Sequence, residues 1–441
     1  MGKLSTVVDG IVGQFRTLVE EELRSVRHAV PAGGLGRIEE RLVTLRRSMD
    51  AMLLEGLAEA VGNGYRGASM ACRCGGSMRY VNDRPKTFLT VLGDLRLRRA
   101  YYRCSQCGAS RVPLDEVLGL VGEGQSIGVH VMTALVCGLL PHAQGMDLLG
   151  ELGIPHVSVS EAQRITRAVG AQATAWRDEE AAQWVEERQA PVEHVERRVP
   201  RRLALSMDGT TAHTDGAWHE AKVGTFFTFD EEGSPLSRRA YLATFGGIEA
   251  FRALWDTEAQ RWHLGEVDVL IALCDGAPWT WNTIAEYCPG HVVEILDFYH
   301  ASEHLWLLAR AIWGEGSDRA RAWVDEQQER LLEGQLDAFF AELKRWDTPD
   351  TWQEKAQAQH HYFTTNRERI HYKEYKARRY PIGSGLVEAA CKTVICQREK
   401  QPGMRWRQDT AEAIAHLRAV RHSGRWDALR RRLIEASTNA A

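Results

Sequence analysis

The stretch Leu203-Ala-Leu-Ser-Met-Asp208-Gly209-Thr210 decides the fold, because it is a short apolar run that ends in an acidic residue and a glycine. Two later runs repeat the pattern: Val267–Cys274 is followed by Asp275, and Val292–Leu296 is followed by Asp297. Apolar runs of this length, bounded by turn residues, are typical of buried strands. Because sites form at the carboxyl ends of strands in open α/β sheets, the sequence predicts an acidic site at one edge of a sheet.

The elements around these strands predict a mixed α/β sheet in the order β-β-β-α-β-α-β. Hydrophobic periodicity adds two strands and two helices, at Lys222–Phe229, Ala240–Phe245, Ile248–Trp262 and Pro278–Tyr287. Residues 301–376 have only helical patterning and form a predicted helical insertion. Residues 380–392 then predict a glycine-rich turn that begins a helix, with Glu388 just inside it.

Acidic residues that converge at a sheet edge favour a metal site. Ionised carboxylates held close together repel one another unless a cation compensates, and hard divalent ions such as Mg²⁺ prefer oxygen ligands. For each aspartate alone, an Asp-Gly pair after a strand is also ordinary turn chemistry. The acids taken together favour the metal site over that alternative. The turn before Glu388 lacks the lysine spacing of a P-loop, which argues against ATP binding.

Three modules and a charged linker precede the sheet. The sequence predicts an N-terminal helical hairpin, a cysteine-bearing hairpin, and a helical region that is compatible with a helix-turn-helix. The linker contains Pro191 and Pro200, and it predicts a domain boundary near residue 200. The first part of the sheet domain, the helical insertion and the last part of the sheet domain follow. In chain order, the predicted boundaries are 1–66, 67–115, 116–185, 186–202, 203–300, 301–376 and 377–441.

Four cysteines in the second module predict a zinc site. They flank a strand-turn-strand pattern as two pairs, Cys72 with Cys74 and Cys104 with Cys107. Four thiolates suit tetrahedral Zn²⁺, and a small ribbon gains folding free energy from the bound ion. The first pair has a one-residue gap in place of the usual two, so a metal-free remnant of a zinc ribbon is the alternative.

Basic residues in two regions are candidates for contacts with DNA phosphates. The formal net charge is −4, yet the segment from residue 366 onward is rich in Lys and Arg. Such a segment on an acidic body is an electrostatic footprint for phosphate backbones, although a solvated helix face is the alternative. The candidates are Arg398, Lys400, Arg405 and Arg407 near the C-terminus, and Arg164 and Arg167 in the possible helix-turn-helix.

Length and composition exclude several classes of protein. A chain of 441 residues allows about three domains. Apolar residues at 44% and charged residues at 26% argue against disorder. No apolar stretch reaches the roughly 18 residues of a membrane helix, and the N-terminus lacks an export signal. The missing export signal leads us to expect a protein of the reducing cytoplasm. Nine cysteines are too few for a disulfide framework, and an odd number with two tight pairs favours metal binding.

Several long motifs resemble one family, the ISKra group of bacterial insertion-sequence transposases. The motifs are Ser206–Thr210, Trp218–Gly224, Asp275–Trp279, Asp297–Trp306, Pro381–Lys392 and Gln401–Trp406. The resemblance covers about residues 70 to 430 and is strongest after residue 200. It implies a DDE-type transposase with an RNase H-like catalytic core and a helical insertion before the third acid.

The resemblance also implies roles for individual residues. It makes Asp208 the first acid, Asp275 the second and Glu388 the third, with Asp297 and His300 in support. The chemistry of phosphodiesters adds a mechanism, in which these acids hold two Mg²⁺ or Mn²⁺ ions for in-line displacement.

The expected function is therefore cleavage of element ends and their joining to target DNA. We expect DNA as the partner, a homo-oligomer on that DNA, association with the bacterial nucleoid and no membrane. Three other functions remain open: a silent or domesticated DNA-binding relative, an RNase H-like nuclease without strand transfer, and a purely structural zinc and helix protein.

Overall fold

The computed structural model is mixed α/β and contains two β-sheets. It describes residues 2–29, 34–120, 124–187, 199–383 and 385–439. The chain divides into two compact units, residues 1–169 with 427–441 and residues 170–426. No helix in the described ranges is both long enough and apolar enough to cross a membrane.

The first unit begins with a pair of antiparallel helices, α1 (Gly2–Ala29) and α2 (Gly34–Val61). A four-stranded antiparallel sheet follows, with its strands in chain order: β1 (Ser69–Ala71), β2 (Ser77–Thr90), β3 (Gly93–Cys104) and β4 (Ser110–Arg111). Ala58 of α2 belongs to the same apolar cluster as Phe88 and Leu95 of this sheet. The packing joins α2 to the β2–β3 hairpin.

Four helices follow the small sheet. They are α3 (Pro113–Val117), α4 (Ile127–Leu139), α5 (His142–Glu151) and α6 (Val159–Glu187). At the start of α6, the backbone amide of Glu161 donates to Ser158 Oγ at 3.3 Å, which satisfies one of the free amides of a helix N-terminus. The division between the two units falls inside α6, after Val169.

The second half of α6 packs within the second unit. A Cβ on Gly170 would lie 2.3 Å from Ala413 Cβ, so this glycine permits a close helix approach. His416 Nε2 lies 3.2 Å from the carbonyl oxygen of Ala173. Most of the predicted linker 186–202, including Pro191, lies outside the described residues.

The sheet of the second unit has five strands in the order β7-β6-β5-β8-β9. The strands are β5 (Arg202–Thr214), β6 (Ala217–Phe229), β7 (Pro235–Thr244), β8 (Val269–Cys274) and β9 (Val293–Leu296). The first three are antiparallel, whereas β5, β8 and β9 run parallel. The chain therefore folds as the predicted mixed α/β sheet.

Helices connect the parallel strands and cover one face of the sheet. They are α7 (Gly247–Arg261) before β8 and α8 (Pro278–Tyr287) before β9. Phe251 and Trp255 of α7 are fully buried. The Trp255 ring packs against Phe226 of β6 with centroids 4.6 Å apart, and Phe251 packs against Trp255 with centroids 5.9 Å apart. Burial of such large side chains contributes about 1.5–3 kcal/mol each.

A helical segment follows β9, as predicted. Its helices are α9 (Phe298–Trp313), α10 (Asp318–Leu332), α11 (Leu336–Arg345), α12 (Gln353–Thr365) and α13 (Tyr372–Ala377). At its end, the carbonyl oxygen of Ile382 accepts a 2.9 Å hydrogen bond from the amide of Phe298. The segment thus returns to the point where it left the sheet.

The C-terminal helices cover the other face of β5, β6 and β7. They are α14 (Gly385–Ala390), a π-helical stretch (Cys391–Cys396), α15 (Gln397–Glu399) and α16 (Gln408–His422). The last helix, α17 (Trp426–Asn439), belongs to the first unit from Asp427 onward. Ala390, Val394 and Ala415 form an apolar cluster with Val223 and Ala243 of the sheet. Because apolar helices cover both of its faces, β6 is buried continuously from Ala221 to Phe229.

Candidate functional site

Asp208 lies inside β5, opposite Val223, and not at the end of the strand as its sequence pattern predicts. The strand continues because Thr210–Thr214 pair with Ala217–Ala221 in a β-hairpin, which satisfies their backbone groups. Asp208 Oδ1 accepts a 2.6 Å hydrogen bond from the amide of Gly209. The carboxyl group is half-buried.

The register of the parallel strands places Asp208 beside Asp275. Leu205 of β5 pairs with Ala272 of β8, so three residues further along each strand Asp208 and Asp275 reach the same level. One residue after the last pair of β5 and β8, Ser206 Oγ donates to the carbonyl oxygen of Leu273 at 2.5 Å, so the two segments stay hydrogen-bonded to each other toward the aspartates. The two carboxylates therefore lie on neighbouring chain segments, with Asp208 inside β5 and Asp275 directly after β8.

Asp275 has a perturbed pKa. Burial raises the pKa of this carboxyl group above its ordinary value, and the negative charge of Asp208 raises it further. The amide of Ala277, which donates to Asp275 Oδ1 at 2.9 Å, and His300 act in the opposite direction. A raised pKa caused by burial and a like charge is typical of carboxylates that share a site.

Tyr362 of α12 fixes the turn that follows Asp275. Its hydroxyl donates a 2.7 Å hydrogen bond to the Asp275 carbonyl oxygen. Gly276 has φ +94°, and a Cβ there would lie 2.8 Å from the Tyr362 ring. The ring of His304 stacks on Tyr362 with centroids 3.6 Å apart, and His304 Nδ1 lies 2.5 Å from Gln359 Oε1. Sequence patterns missed this contact, since nothing in residues 301–376 distinguishes Tyr362 from other helical aromatics.

Asp297 caps helix α9. Its fully buried carboxylate accepts hydrogen bonds from the amides of Tyr299 (2.6 Å) and His300 (2.9 Å). An acidic residue is stabilised at this position by the free amides and the positive end of the helix dipole. Asp297 thus fixes the start of the helix that carries His300.

His300 has one free ring nitrogen near the carboxylates. Its Nε2 is buried and has no hydrogen-bond partner in the described part of the chain, whereas its Nδ1 lies 3.6 Å from Glu303 Oε2. The imidazole is close enough to Asp275 to influence the pKa of that residue. A buried ring nitrogen without a partner is available to a ligand or to a polar group of a substrate.

Glu388 lies on α14, and the residues around it approach Asp208. Cys391, three residues later, places its Sγ 3.5 Å from Asp208 Oδ2. Burial raises the pKa of the Cys391 thiol, and the charges of Asp208 and Glu388 raise it further. The side chain of Glu388 itself is exposed. Ser384, in the predicted Gly-Ser-Gly turn, lies outside the described residues.

The carboxylates of Asp208, Asp275 and Glu388 do not form a tight cluster. Among the described residues, only the four cysteines of the first unit have ligand atoms that all lie within 4.8 Å of one another. Asp208 and Asp275 lie side by side, and Glu388 projects from the helix packed over Asp208. The sheet edge is therefore an open acidic site.

The cysteines predicted to bind zinc do come together. Cys72 Sγ lies 3.7 Å from Cys107 Sγ, and Cys74 Sγ lies 3.8 Å from Cys104 Sγ. A tetrahedron with Zn–S bonds of about 2.3 Å has edges of about 3.8 Å, so the spacing fits one zinc ion. The one-residue gap is accommodated by a tight turn in which the Cys72 amide donates to the Gly76 carbonyl oxygen at 2.9 Å.

Backbone amides also prepare this cluster for a cation. Amides of Cys107 and Gln106 donate to the sulfur of Cys104 and lower the pKa of its thiol to about 6. The Gly76 amide acts in the same direction on Cys74, but hydrogen bonds with the Cys72 and Cys107 thiols outweigh it and raise the pKa of Cys74 to about 12. A thiol with a lowered pKa is deprotonated near neutral pH and is then a metal ligand. The first unit thus contains a four-cysteine site that can hold a metal such as zinc.

The predicted DNA-binding residues differ in accessibility. Arg398 is completely buried, with its guanidinium 4.7 Å from the Trp406 ring centroid, so its prediction as a phosphate contact is wrong. Lys400, Arg405 and Arg407 are exposed, and Lys400 Nζ lies 3.5 Å from Thr210 Oγ1, two residues from Asp208.

Arg164 and Arg167 are exposed on α6. Arg164 is bound to Glu161 through two hydrogen bonds of 2.8 and 2.5 Å. A DNA phosphate would therefore have to compete with this ion pair for Arg164.

No protein-family model matches this chain, and no curated protein matches it. The case for its function therefore rests on the geometry of the site and on the motifs of the sequence.

Proposed function

We propose that this protein is a DNA transposase with an RNase H-like catalytic core, which cuts the ends of a mobile element and joins them to target DNA. The observation that carries the proposal is the register of β5 and β8, which sets Asp208 beside Asp275. The helix that bears Glu388 packs over the same sheet, with Cys391 touching Asp208. The neighbouring positions of Asp208 and Asp275, and the packing of the helix that bears Glu388 over the same sheet, support a site built from separate parts of the chain.

The residues present fit divalent metal ions. The pKa of Asp275 is raised by burial and by the charge of Asp208, so the ionised pair is unfavourable without a compensating cation. Oxygen ligands are the ones that Mg²⁺ and Mn²⁺ prefer. Asp208, Asp275 and Glu388 would hold the two ions. When bound, such ions supply an activated attacking oxygen and stabilise the leaving oxygen of an in-line displacement.

The protein's own groups position the DNA and the acids. Tyr362 and Ala277 hold the Asp275 turn through its carbonyl oxygen and its carboxylate, respectively. His300 offers its unpartnered Nε2 toward the same region and can orient a phosphate oxygen or a water molecule. Lys400, Arg405 and Arg407 would contact DNA phosphates without reading sequence, and Lys400 is nearest to the acids.

The rest of the proposal concerns partners and location. DNA is the proposed partner, with the ends of the element held by a homo-oligomer and the reaction taking place at the nucleoid. The four-cysteine site would hold one structural Zn²⁺ in the first unit. Copying and excision are both compatible with this chemistry.

The test uses labelled duplexes from the DNA that flanks the coding sequence, a plasmid target and Mn²⁺. We expect metal-dependent nicking and joined products from the wild-type protein. The variants Asp208→Asn, Asp275→Asn and Glu388→Gln should lose both activities and retain DNA binding. The matched control is Asp268→Asn, an exposed acid of the same unit, which should keep full activity.

The outcomes separate the alternative functions. Nicking without joined products would identify a nuclease, and binding without any nicking would identify a silent DNA-binding relative. Failure to bind DNA even at low salt, where phosphate contacts are strongest, would favour a structural zinc and helix protein.

A further inference from the structure

The helical hairpin of α1 and α2 carries an apolar surface that the rest of the described chain leaves uncovered. On α1, Val8, Val12, Phe15 and Leu23 are all exposed, and Leu35, Leu42, Leu53 and Leu57 are exposed on α2. Their exposed fractions range from 39% to 69%. We call these eight residues the hairpin stripe. Neither the zinc site nor the acidic site accounts for it.

The stripe residues of each helix share one face. With about 100° of rotation per residue, the spacings of three, four and seven to eight residues keep each set within roughly one third of the helix circumference. Val19 on α1 and Met49 on α2 continue the same two lines and are half-buried. Arg46 lies on the same face of α2 between Leu42 and Met49. Its Nε lies 3.9 Å from Asp50 Oδ2, and its aliphatic stem can cover apolar surface.

The two faces lie on the same side of the hairpin. The helices are antiparallel, because Ile11 meets Gly56 while Glu22 pairs with Arg41. Looking along each helix from its own N-terminus, the stripe is rotated by about a quarter turn from these contact residues, and the direction of rotation is the same for both helices. In an antiparallel pair, equal rotation in the same sense brings both faces to one side. The stripe is therefore one continuous surface two helices wide.

The size of this surface fits a dimer interface. The eight residues expose on the order of 800 Å² together, which is about the area that each partner contributes to an interface of ordinary size. Exposed apolar patches on monomers are typically about 300–600 Å². A patch of this area on helices of 28 residues each is typical of a surface that another helical pair covers.

The charges of the hairpin permit pairing with a copy of itself. Helix α1 carries four basic and four acidic residues, and α2 carries four basic and five acidic residues. Two such hairpins would not repel each other appreciably, whereas a nearly neutral surface has no attraction for DNA or for an anionic membrane. The stripe is also self-complementary, since a twofold axis would set apolar lines against apolar lines.

We propose that a second copy of this chain covers the hairpin stripe. The stripes of the two copies pack against each other, and the two hairpins form a four-helix bundle. The protein is then a dimer in the absence of DNA, held by its N-terminal hairpins. This inference does not depend on the proposed chemistry, because the acidic residues of the sheet play no part in it.

The test is sedimentation equilibrium of the full-length protein without DNA. We expect the wild-type protein at twice the chain mass of 49.6 kDa. The double variant Val12→Glu with Leu53→Glu places charges in the middle of the stripe and should sediment at the monomer mass. Its circular dichroism should match that of the wild type, which shows that the change acts on association and not on folding.

The matched control is Thr17→Glu with Thr44→Glu. Both threonines are exposed, lie on the opposite side of their helices from the stripe, and donate to the carbonyl oxygen four residues before them. This control should remain a dimer. A wild-type protein that is monomeric up to its solubility limit would overturn the proposal, and so would a dimer that survives the Val12→Glu and Leu53→Glu changes.

Discussion

The hydroxyl of Tyr362 donates a 2.7 Å hydrogen bond to the carbonyl oxygen of Asp275. A helix far along the chain thereby holds the backbone turn that carries Asp275. The contact is intimate enough that Gly276 has no space for a side chain, because the Tyr362 ring occupies it.

Replacing Tyr362 with Phe should weaken the fold and disturb the acidic site. The substitution leaves the Asp275 carbonyl oxygen without its donor, which costs about 1–2 kcal/mol of unfolding free energy. Urea denaturation measures this loss. The control is Tyr299→Phe. Tyr299 is exposed, and its contact with Gly383 is made by ring carbons that phenylalanine keeps. Equal stabilities of the two variants would contradict the role given to the hydroxyl.

Replacing Asp275 with Asn should stabilise the protein when divalent ions are removed. Burial and the charge of Asp208 raise the pKa of Asp275, so its ionisation destabilises the fold as pH rises above the ordinary range of an aspartate. Asn has no proton to lose and stays neutral at every pH. A gain of about 1 kcal/mol in the free energy of unfolding would raise the melting temperature by roughly 2–4 °C.

Added Mn²⁺ should reverse the order of the melting temperatures. The wild-type protein gains stability in proportion to ion binding, whereas the Asp275→Asn variant lacks a ligand. Thermal melting in EDTA tests the order without ions, and thermal melting in Mn²⁺ tests its reversal. The control variant Asp268→Asn should have the same melting temperature as the wild type in both conditions. An unchanged melting temperature of the wild type on addition of Mn²⁺ would count against the metal site.

Removing one zinc ligand should empty the four-cysteine site. We expect about one zinc ion per purified wild-type chain and none in Cys104→Ser, as measured by elemental analysis. Cys288→Ser, which changes a cysteine outside the cluster, should keep its zinc. A strong chelator should lower the melting temperature of the wild type and leave that of Cys104→Ser unchanged. A wild-type chain free of zinc after expression in zinc-supplemented medium would refute this assignment.

His416 should make the second unit sensitive to acid. Burial lowers the pKa of this imidazole to about 3, and the nearby charges of Arg177 and Arg425 act in the same direction. The unfolded chain binds a proton near pH 6.5, so stability is complete above that pH and falls as the pH decreases toward 3. One such group contributes up to about 1.4 kcal/mol per pH unit.

The variant His416→Gln should flatten this dependence. Glutamine can donate to the Ala173 carbonyl oxygen as the imidazole does, but it takes up no proton. Urea midpoints at pH 7, 6 and 5 measure the slope, and His361→Gln, an exposed histidine, serves as the control. Parallel slopes for all three proteins would show that another group controls the acid response.

Much of the sheet could be predicted from the sequence, because its parallel strands are buried on both faces and appear as unbroken apolar runs. The predicted helix Pro278–Tyr287 is confirmed residue for residue, and the strand predicted at Val267–Cys274 begins at Val269. The long β5–β6 hairpin extends beyond its apolar runs. Polar residues such as Thr211 and Glu220 form these extensions by pairing with each other, and apolar periodicity does not report such pairing.

Each proposed acid stands next to a strong sequence pattern, whereas the residues that contact Asp208 and Asp275 in the folded chain do not. Arg398 has the composition of a surface residue, and only the folded chain shows its burial beside Trp406. Tyr362 and Cys391 touch the acids across 87 and 183 positions of sequence, respectively. Contacts at such separations depend on tertiary packing, which local pattern does not contain.

The hydrogen bond between the amide of Phe298 and the carbonyl oxygen of Ile382 has an architectural consequence. It joins the entrance and the exit of the helical segment at one point of the sheet border. Between these two ends the segment is part of the core, because Leu305 and Phe339 belong to the same buried cluster as Leu296 of β9. Excising the segment at this point would therefore expose the apolar side chains of the last strand and release the Asp275 turn from Tyr362.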